Sequence, residues 1–480
     1  MSQLPIAVIG AGPVGLAAAA HLVQRGLEPL VLERGPAAGH TLSAWSHVRV
    51  FSPWRFNIDH AARALLAETD WQAPDAEALP TGGDLVRDYL APLSRHPKLA
   101  AGIRFGAEVT AISRRGTDKM TDAGRAATPF VLRYRDAAGA EQEMLARAVI
   151  DASGTWFQPN PMGVDGLPVA GETANAGRIA YGIPDVLDHA RDRYAGARVL
   201  VVGSGHSAIN VVLDLLALQQ SAPETRVVWG LRRNRLERLL GGGLNDQLPA
   251  RGALGLAAKS AIEAGRLQVL TPFAARRIAA EGNSLRVTGC VNGHDFDGNF
   301  DRIIVATGFR PDLAMLRELR VELDPAVEAT PALAPLIDPN LHSCGDVPAH
   351  GVVELAHPEQ GFYIVGAKSY GRAPTFLMAT GYEQVRSIAA ELAGDHAAAR
   401  EVHLVLPKTG VCNSDAIDGG AGDSGDEAAC CGGPAVTDAT ACCVADEVAK
   451  EAAQTGCGCS PAAAPAKVAK AQGGGCCAPR

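Results

Sequence analysis

The sequence predicts an α/β protein with two doubly wound domains, in which parallel strands alternate with helices. Two glycine-rich turns, at 10–15 and 203–208, each follow a short apolar run and precede a stretch of helical composition. Two later motifs, Ala152-Ser-Gly154 and Ala306-Thr-Gly308, each follow an apolar run and occupy equivalent positions in the two predicted domains. At 480 residues the chain is long enough for two or three domains with full-sized cores.

The first predicted βαβ unit has a strand at 6–10, a helix at 13–25 and a second strand at 29–33. Its turn reads Gly10-Ala-Gly12-Pro13-Val-Gly15. The first glycine permits the tight turn, the second lets the backbone approach a pyrophosphate, and the third lets the helix pack on the strand. Free N–H groups at the start of the helix favour a phosphate. The unit therefore predicts a dinucleotide site.

An acidic residue follows at the position that selects the ribose. Glu33 ends the second strand 18 residues after Gly15, where a carboxylate bonds ribose hydroxyls. This favours an adenosine with a free 2′-hydroxyl, as in FAD or NAD. The alternative is a surface glutamate that merely follows a strand.

The second predicted unit runs from about residue 196 to 305, after strand-like runs at 130–134 and 146–150. Its turn reads Gly203-Ser-Gly205-His206-Ser207-Ala208. Here no acidic residue follows the strand at 226–230, and Arg232 and Arg233 stand there instead. An arginine accommodates a 2′-phosphate through a charge-assisted contact, which favours NADPH over NADH. Alternatively, the two arginines line a solvated helix start.

The sequence then predicts a return to the first domain. A short strand at 341–346 ends in Gly345-Asp346, and a helix is expected at 380–393. After Gly394 the composition shifts to Ala, Gly, Asp and Cys without periodicity, which predicts a disordered tail. The expected division is a first dinucleotide-binding domain at 1–155, an inserted second dinucleotide-binding domain at 156–310, the return of the first domain at 311–395 and the tail at 396–480.

Charge and hydropathy exclude several classes of protein. The net charge is −8 and no basic stripe is present, so nucleic acid is not an expected partner. No run of 18 apolar residues predicts a membrane span, and the first strand leaves no room for a signal peptide, so the expected location is the cytoplasm. The oligomeric state stays open, with a homodimer as one expectation.

These motifs resemble the flavoproteins with two dinucleotide-binding domains, and within them the flavin-containing monooxygenases and their bacterial relatives. The resemblance covers residues 4–395 and implies FAD in the first site and NADPH in the second. It implies that Glu33 contacts the adenosine ribose and Asp346 the ribityl chain. Together the motifs and the resemblance give these cofactor-binding candidates: Gly10, Gly12, Pro13, Gly15, Glu33, Arg34, Trp45, Ser52, Gly154, Gly203, Gly205, His206, Ser207, Arg232, Arg233, Gly308, Gly345 and Asp346.

The block at 354–372 resembles a subgroup of bacterial flavoproteins associated with arsenic-resistance operons, whose members can carry a Cys-rich tail. The resemblance implies that this block lies beside the flavin, which makes His357, Glu359 and Lys368 the catalytic candidates. The alternative for each is a structural function, such as capping a turn. In one departure, the flavin-side Asn of flavin-containing monooxygenases is missing from the comparable stretch Val50-Phe-Ser52-Pro53. Ser52 is either its replacement or an unrelated serine. The Baeyer–Villiger fingerprint is also absent.

The tail holds nine of the eleven cysteines. Thiolates favour soft ions such as As(III), Zn(II) and Cu(I), and sulfurs from two pairs on a flexible chain can converge on one ion. A low-complexity tail without function is the alternative. The metal-ligand candidates are Cys430, Cys431, Cys442, Cys443, Cys457, Cys459, Cys476 and Cys477.

The sequence therefore predicts an FAD- and NADPH-dependent monooxygenase-like oxidoreductase with a small-molecule or metalloid substrate, acting in arsenic or thiophilic-metal resistance. One alternative is a flavin-linked metal or disulfide reductase, because the terminal Cys pair resembles that of mercuric reductases. Those enzymes need a Cys pair beside the flavin, and this chain has no Cys from Gly35 to Thr110. A further alternative is a metal buffer on a flavoprotein scaffold.

Overall fold

The computed structural model describes residues 4–233, 249–341, 347–374 and 376–404. It confirms the predicted α/β fold class, with two five-stranded parallel sheets and two three-stranded antiparallel sheets. The strands are β1 (Ile6–Ile9), β2 (Pro29–Glu33), β3 (Ile103–Phe105), β4 (Glu108–Arg114), β5 (Phe130–Arg135), β6 (Glu141–Ala146), β7 (Ala148–Asp151), β8 (Ile179–Tyr181), β9 (Arg198–Val202), β10 (Arg226–Gly230), β11 (Gln268–Leu270), β12 (Phe273–Glu281), β13 (Ser284–Val291), β14 (His294–Phe300), β15 (Arg302–Val305) and β16 (Phe362–Ile364).

Two long helices start at the glycine turns, and short helices make up most of the remainder. The α-helices are α1 (Pro13–Gln24), α2 (His40–Ser43), α3 (Trp54–Asn57), α4 (His60–Leu66), α5 (Gly82–Asp84), α6 (Ala91–Ser94), α7 (Pro97–Ala100), α8 (Arg191–Tyr194), α9 (His206–Ser221), α10 (Pro249–Glu263), α11 (Ala334–Ile337), α12 (Met378–Leu392) and α13 (His396–Arg400). A π-helical turn at Leu85–Leu90 joins α5 to α6. Helical 3₁₀ turns lie at Arg125–Ala127, Thr173–Arg178, Ala314–Leu316 and Gly366–Tyr370.

The two parallel sheets have the same topology. The first has the order β16-β7-β1-β2-β3 and the second β8-β15-β9-β10-β11. In each, the glycine turn follows the central strand and donates to the neighbouring strand: Gly10 N to Leu32 O at 2.8 Å, and Gly203 N to Gly230 O at 3.2 Å. The two glycine turns therefore lie at equivalent carboxyl ends, where open α/β sheets bind ligands.

Each parallel sheet is covered on both faces. In the first, β1 and β7 pack against α1 and α12 on one side, and against the β4–β6 sheet on the other. In the second, α9 and α10 cover one side and the β12–β14 sheet covers the other. Strands buried on both faces explain the continuous apolar runs that predicted them.

The return to the first domain includes a strand that the sequence did not predict. It is β16, Phe362–Ile364, which joins β7 in the first sheet. Most of the predicted strand at 341–346, with Gly345 and Asp346, lies outside the described residues. The predicted tail also began too early at 396, because α13 packs on α12 and Ser387 Oγ donates to the buried Ala399 carbonyl. All eight candidate metal-ligating cysteines lie outside the described residues.

Within the described part of the chain, every helix is too short or too polar to cross a lipid bilayer.

Candidate functional site

The first glycine turn is closed toward the protein and open on the other side. Gly10 has φ +99°, and a Cβ there would stand 2.8 Å from Ala152 O. A Cβ on Gly15 would overlap the Gly10 carbonyl, so this residue must be small for α1 to pack on the turn. At Gly12, just before Pro13 begins the helix, no atom of the described residues lies within 4 Å of a Cβ. The backbone can therefore meet a ligand at Gly12.

The second glycine turn repeats these features. Gly203 has φ +141°, and a Cβ there would overlap the Ala306 carbonyl. A Cβ on Gly205 would again meet open space in the described structure. His206 and Ser207 start α9, and the His206 ring contacts Phe51 edge-on at 5.2 Å between ring centroids. This contact brings the second turn against the segment that holds Ser52.

The acidic residue of the first site braces its glycine turn. Buried Glu33 accepts hydrogen bonds from Ala11 N and Gly35 N, both at 2.7 Å. By the matched hydrogen bonds of the two turns, the equivalent residue after β10 is Leu231, which is buried and apolar. Arg232, which is exposed, follows it. The structure thus places a carboxylate beside the first turn and an arginine after the corresponding strand of the second.

The residues that follow Glu33 and Leu231 in the chain are also held in place. Arg34 donates to Glu108 at 2.8 Å, and its guanidinium carbon lies 3.9 Å from the centroid of the Phe157 ring. The carbonyl of Arg233 accepts from Thr271 Oγ1 at 2.9 Å. Arg34 therefore holds the rim of the first site rather than pointing freely into it.

The segments that follow β7 (152–154) and β15 (306–308), here called the two crossings, lie side by side. Asn160 N donates to Gly308 O at 2.9 Å, and Thr307 Oγ1 donates to Asn160 O at 2.8 Å. Trp156 and Phe309 stack with their centroids 4.9 Å apart. Gly154 has φ +70° and Gly308 φ +88°, conformations that favour glycine. Because Ala152 and Ala306 also touch the two glycine turns, the crossings link both sites directly.

Lys368 forms a buried ion pair at the carboxyl end of β7. Its Nζ donates to Asp151 Oδ2 at 2.7 Å and to Ser153 Oγ at 3.1 Å. Ser153 Oγ in turn donates to Asp151 Oδ1 at 2.6 Å. The group lies on the crossing that contacts Gly10. Sequence reasoning missed Asp151; a single acid that ends an otherwise apolar strand was the available signal.

His357 is a buried neutral imidazole. Its Nδ1 accepts from Glu322 N at 3.4 Å, and its ring packs against Phe362 with centroids 5.6 Å apart. Burial lowers its pKa from 6.5 to about 4, against a smaller opposing contribution from the Glu322 bond and the Asp151 charge. Since Nδ1 accepts, Nε2 carries the proton, and Nε2 has no partner among the residues that the structure describes.

Glu359 is enclosed by two arginines. Its carboxylate accepts from Arg114 Nε at 2.8 Å, from Arg125 Nη2 at 2.7 Å and from Arg320 N at 3.0 Å. Burial alone would raise the pKa of Glu359, but these hydrogen bonds and charges outweigh it and lower the pKa. His357 and Glu359 thus both hold the segment 320–322, and the contacts of Glu359 favour a structural function over catalysis.

Two further candidates lie in the segment after the first βαβ unit. The Trp45 ring packs against Gly82, where a Cβ would stand 2.7 Å from it. Ser52 Oγ donates to Asn57 Oδ1 at 2.8 Å, and Asn57 Nδ2 returns a bond to Ser52 O at 2.7 Å. Asn57 is buried and was missed because it falls inside a short helix, four residues after Pro53.

The site fits two dinucleotides. Each glycine turn offers N–H groups at a helix start, an open approach at its second glycine and a small-residue crossing beside it. FAD fits the first turn, with Glu33 near the ribose, and a 2′-phosphorylated nucleotide fits the second, with Arg232 and Arg233.

Comparisons with known proteins agree with this arrangement. A family model described as "Pyridine nucleotide-disulphide oxidoreductase" matches residues 7–335. The chain is similar to "Indole-3-pyruvate monooxygenase YUCCA1" of Oryza sativa subsp. japonica, at 29% identity over 211 residues. That match spans 43% of this chain and 44% of the rice protein's length.

Solved structures share the fold at low sequence identity. The bacillithiol disulfide reductase Bdr of Bacillus cereus is 18% identical with a TM-score of 0.60, covering 82% of this chain and 99% of its own. The cadaverine monooxygenase DfoA of Erwinia amylovora, bound to FAD, is 12% identical with a TM-score of 0.60, covering 86% and 100%. On the family match, the chain belongs to the pyridine nucleotide-disulphide oxidoreductase family.

Proposed function

We propose that this protein is an FAD-dependent, NADPH-consuming monooxygenase that oxygenates a soft nucleophile, with trivalent arsenic as the substrate class. The observation that carries the proposal is a combination. Both glycine turns are complete, yet residues 1–289 contain no cysteine. A disulfide reductase passes electrons from the flavin through a nearby cysteine pair. Neither nucleotide-binding domain of this chain contains a cysteine pair. Molecular oxygen is then the acceptor that needs no thiol relay.

The named relatives support this choice only in part. The rice relative is a monooxygenase, and it is similar to less than half of this chain. The structural neighbours include both a disulfide reductase and a monooxygenase, so the shared fold does not decide between the two activities.

The residues of the chain bind and orient the two nucleotides. The turn at 10–15 and the start of α1 receive the FAD pyrophosphate, while Glu33 fixes the turn and faces the adenosine ribose. The turn at 203–208 receives NADPH, and Leu231 leaves no carboxylate to repel its 2′-phosphate. Bound FAD supplies hydride acceptance from NADPH and electron transfer to oxygen. Lys368, held by Asp151 and Ser153, lies beside the crossing at the first site.

The substrate class rests on two features of the sequence. The block at 354–372 resembles the arsenic-associated flavoproteins, and the tail carries four cysteine pairs. Thiolates bind As(III), Zn(II) and Cu(I), so the tail would collect a thiophilic ion near the enzyme. Covalent attachment of the tail to the enzyme raises the local concentration of such an ion.

The test is a product and stoichiometry measurement on the full-length protein. With NADPH, oxygen and a trivalent arsenical, we expect one NADPH and one oxygen consumed for each pentavalent product and each water formed. Substrate-dependent NADPH oxidation that persists without oxygen, with a disulfide or metal ion as acceptor, would establish the reductase instead. Unchanged arsenic resistance in cells whose protein cannot bind FAD would establish the metal buffer.

A further inference from the structure

A polar cluster in the first domain has no part in nucleotide binding. His21 lies on α1, eight residues beyond Pro13, which is about 12 Å along the helix from the glycine turn. Asp59 is the N-cap of α4, and His60 is the first residue of that helix. The cluster therefore joins the far half of α1 to α4.

The three side chains present their ligand atoms to one point. Asp59 Oδ2 lies 2.9 Å from His21 Nε2 and 3.7 Å from His60 Nδ1, and all three atoms lie within 4.8 Å of one another. A cation bound about 2.1 Å from each atom needs ligand atoms roughly 3.0–3.5 Å apart in octahedral or tetrahedral geometry. The 2.9 Å separation of Asp59 Oδ2 and His21 Nε2 is close to this range, and His60 Nδ1, at 3.7 Å from Asp59 Oδ2, must move closer to complete the set.

Asp59 can serve as a ligand without giving up its structural function. Its Oδ1 accepts from Ala62 N at 2.9 Å and caps α4, which leaves Oδ2 as the oxygen shared by both imidazoles. The rings of His21 and His60 meet edge to face, with centroids 4.7 Å apart. The Asp59 backbone N–H donates to the Tyr89 hydroxyl oxygen at 3.2 Å, which further fixes the backbone at Asp59.

Burial and charge also suit a cation. His21 and Asp59 are buried, whereas the His60 side chain is 64% exposed, so an ion can enter from solvent and keep water as its outer ligand. The arginine whose charge acts on His60 is Arg386, and its guanidinium is paired with Glu383 at 2.7 Å. Tyr89 and Tyr382 stay protonated, because burial raises the pKa of both, and His403 pairs with Glu401 at 3.1 Å.

We propose that His21, Asp59 and His60 bind one divalent cation of the Zn²⁺ class, which ties α1 to α4. Two imidazole nitrogens and one carboxylate oxygen are ligands that Zn²⁺ and Ni²⁺ accept. The ion is structural. It lies about 12 Å along α1 from the glycine turn, and it stabilises the first domain by binding only the folded state.

The experiment uses the full-length protein with its thiols alkylated, so that the tail cysteines cannot take up metal. Zn²⁺ binding is measured by equilibrium dialysis for the wild type, for His60→Gln and for the control His294→Gln, which replaces an exposed histidine on β14. We expect one Zn²⁺ per chain in the wild type and the control, and a drop in affinity of at least tenfold in His60→Gln.

A thermal melt supplies the second measurement. Zn²⁺ should raise the unfolding temperature of the wild type and of His294→Gln but leave His60→Gln unchanged. His60 is chosen because it is exposed and folding does not depend on it, whereas Asp59 also caps a helix. Absence of Zn²⁺ binding in the alkylated wild type, or equal binding in His60→Gln, would overturn the proposal.

Discussion

Gly12→Ala separates nucleotide binding from folding better than any other change in the first turn. A Cβ at Gly12 meets no atom of the described residues within 4 Å, and the residue has φ −80°, which alanine adopts easily. Gly10→Ala and Gly15→Ala lack this property. The first would hold alanine at φ +99°, and the second would drive a Cβ into the Gly10 carbonyl.

The expected magnitude follows from the geometry. The new methyl group stands where the turn receives the FAD pyrophosphate, so bound FAD must shift or strain. Overpacking by one methyl costs about 1–3 kcal/mol, which weakens FAD binding about 5- to 150-fold. The free energy of unfolding of the apoprotein should change by less than about 1 kcal/mol, since alanine is a poorer N-cap than glycine but restricts the unfolded chain, and the two effects oppose each other.

The assay titrates apoprotein with FAD and follows flavin fluorescence, alongside urea unfolding without FAD. Gly205→Ala is the matched variant at the second turn: it should bind FAD normally but lose NADPH affinity by a similar factor. Gly177→Ala is the control, because its Cβ also meets open space while the residue lies outside both turns.

Two results would refute this reasoning. Normal FAD affinity in a folded Gly12→Ala protein would show that the pyrophosphate does not approach this residue. Loss of FAD from Gly205→Ala with NADPH binding intact would show that the two nucleotides are assigned to the wrong domains.

Four other changes test separate parts of the structure. Arg232→Ala should reduce the preference for NADPH over NADH about 10- to 100-fold, the value of a charge-assisted bond, in flavin-reduction kinetics; equal affinity for both coenzymes in the wild type would contradict this assignment. Glu359→Gln should destabilise the fold by about 3–5 kcal/mol, because it leaves two buried arginines unpaired, yet NADPH oxidation per flavin-loaded molecule should not change; the reverse pattern would make it catalytic. Because His357 is buried in its neutral form, the free energy of unfolding should fall as the pH drops from 6.5 toward 4, by about 2 kcal/mol between pH 7 and pH 5. In urea unfolding, His357→Leu should lose less stability over this pH range than the wild type, and an equal loss would contradict the burial argument. A chain cut after Leu404 should keep its unfolding temperature and FAD content, whereas one cut after Gly394 should lose several degrees with α13; equal melting of the two would remove α13 from the fold.

The sequence predicted the elements that local chemistry defines. Both glycine turns, the strands that precede them and the helices that follow them stand where the motifs placed them, to within a residue or two. Strand, turn and helix occupy fewer than thirty consecutive residues in each unit, and glycine is required where φ is positive. The equivalence of the crossings at 152–154 and 306–308 was also visible, because small residues follow apolar strands in both.

The sequence did not reveal partners that are distant in the chain. His357, Glu359 and Lys368 fall within twelve residues, and the family resemblance implied that their segment lies beside the flavin. In the structure Glu359 pairs with Arg114 and Arg125, more than 230 residues away, and Lys368 pairs with Asp151. No local sequence pattern predicts such a pairing, because the same glutamate in a different fold would be an unpaired carboxylate.

The same division holds for the return to the first domain and for the cation site. Local composition predicted a strand at 341–346, most of which lies outside the described residues, and it did not reveal that Phe362–Ile364 pairs with β7. His21 and His60 look unremarkable in sequence because 38 residues separate His21 from Asp59, and only the packing of α1 on α4 brings them together. The sequence by itself determined the class of ligand, because backbone conformation at a glycine turn is local. Tertiary structure decided which polar side chains are paired and which remain available, because charge pairing in a folded core depends on contacts across the whole chain.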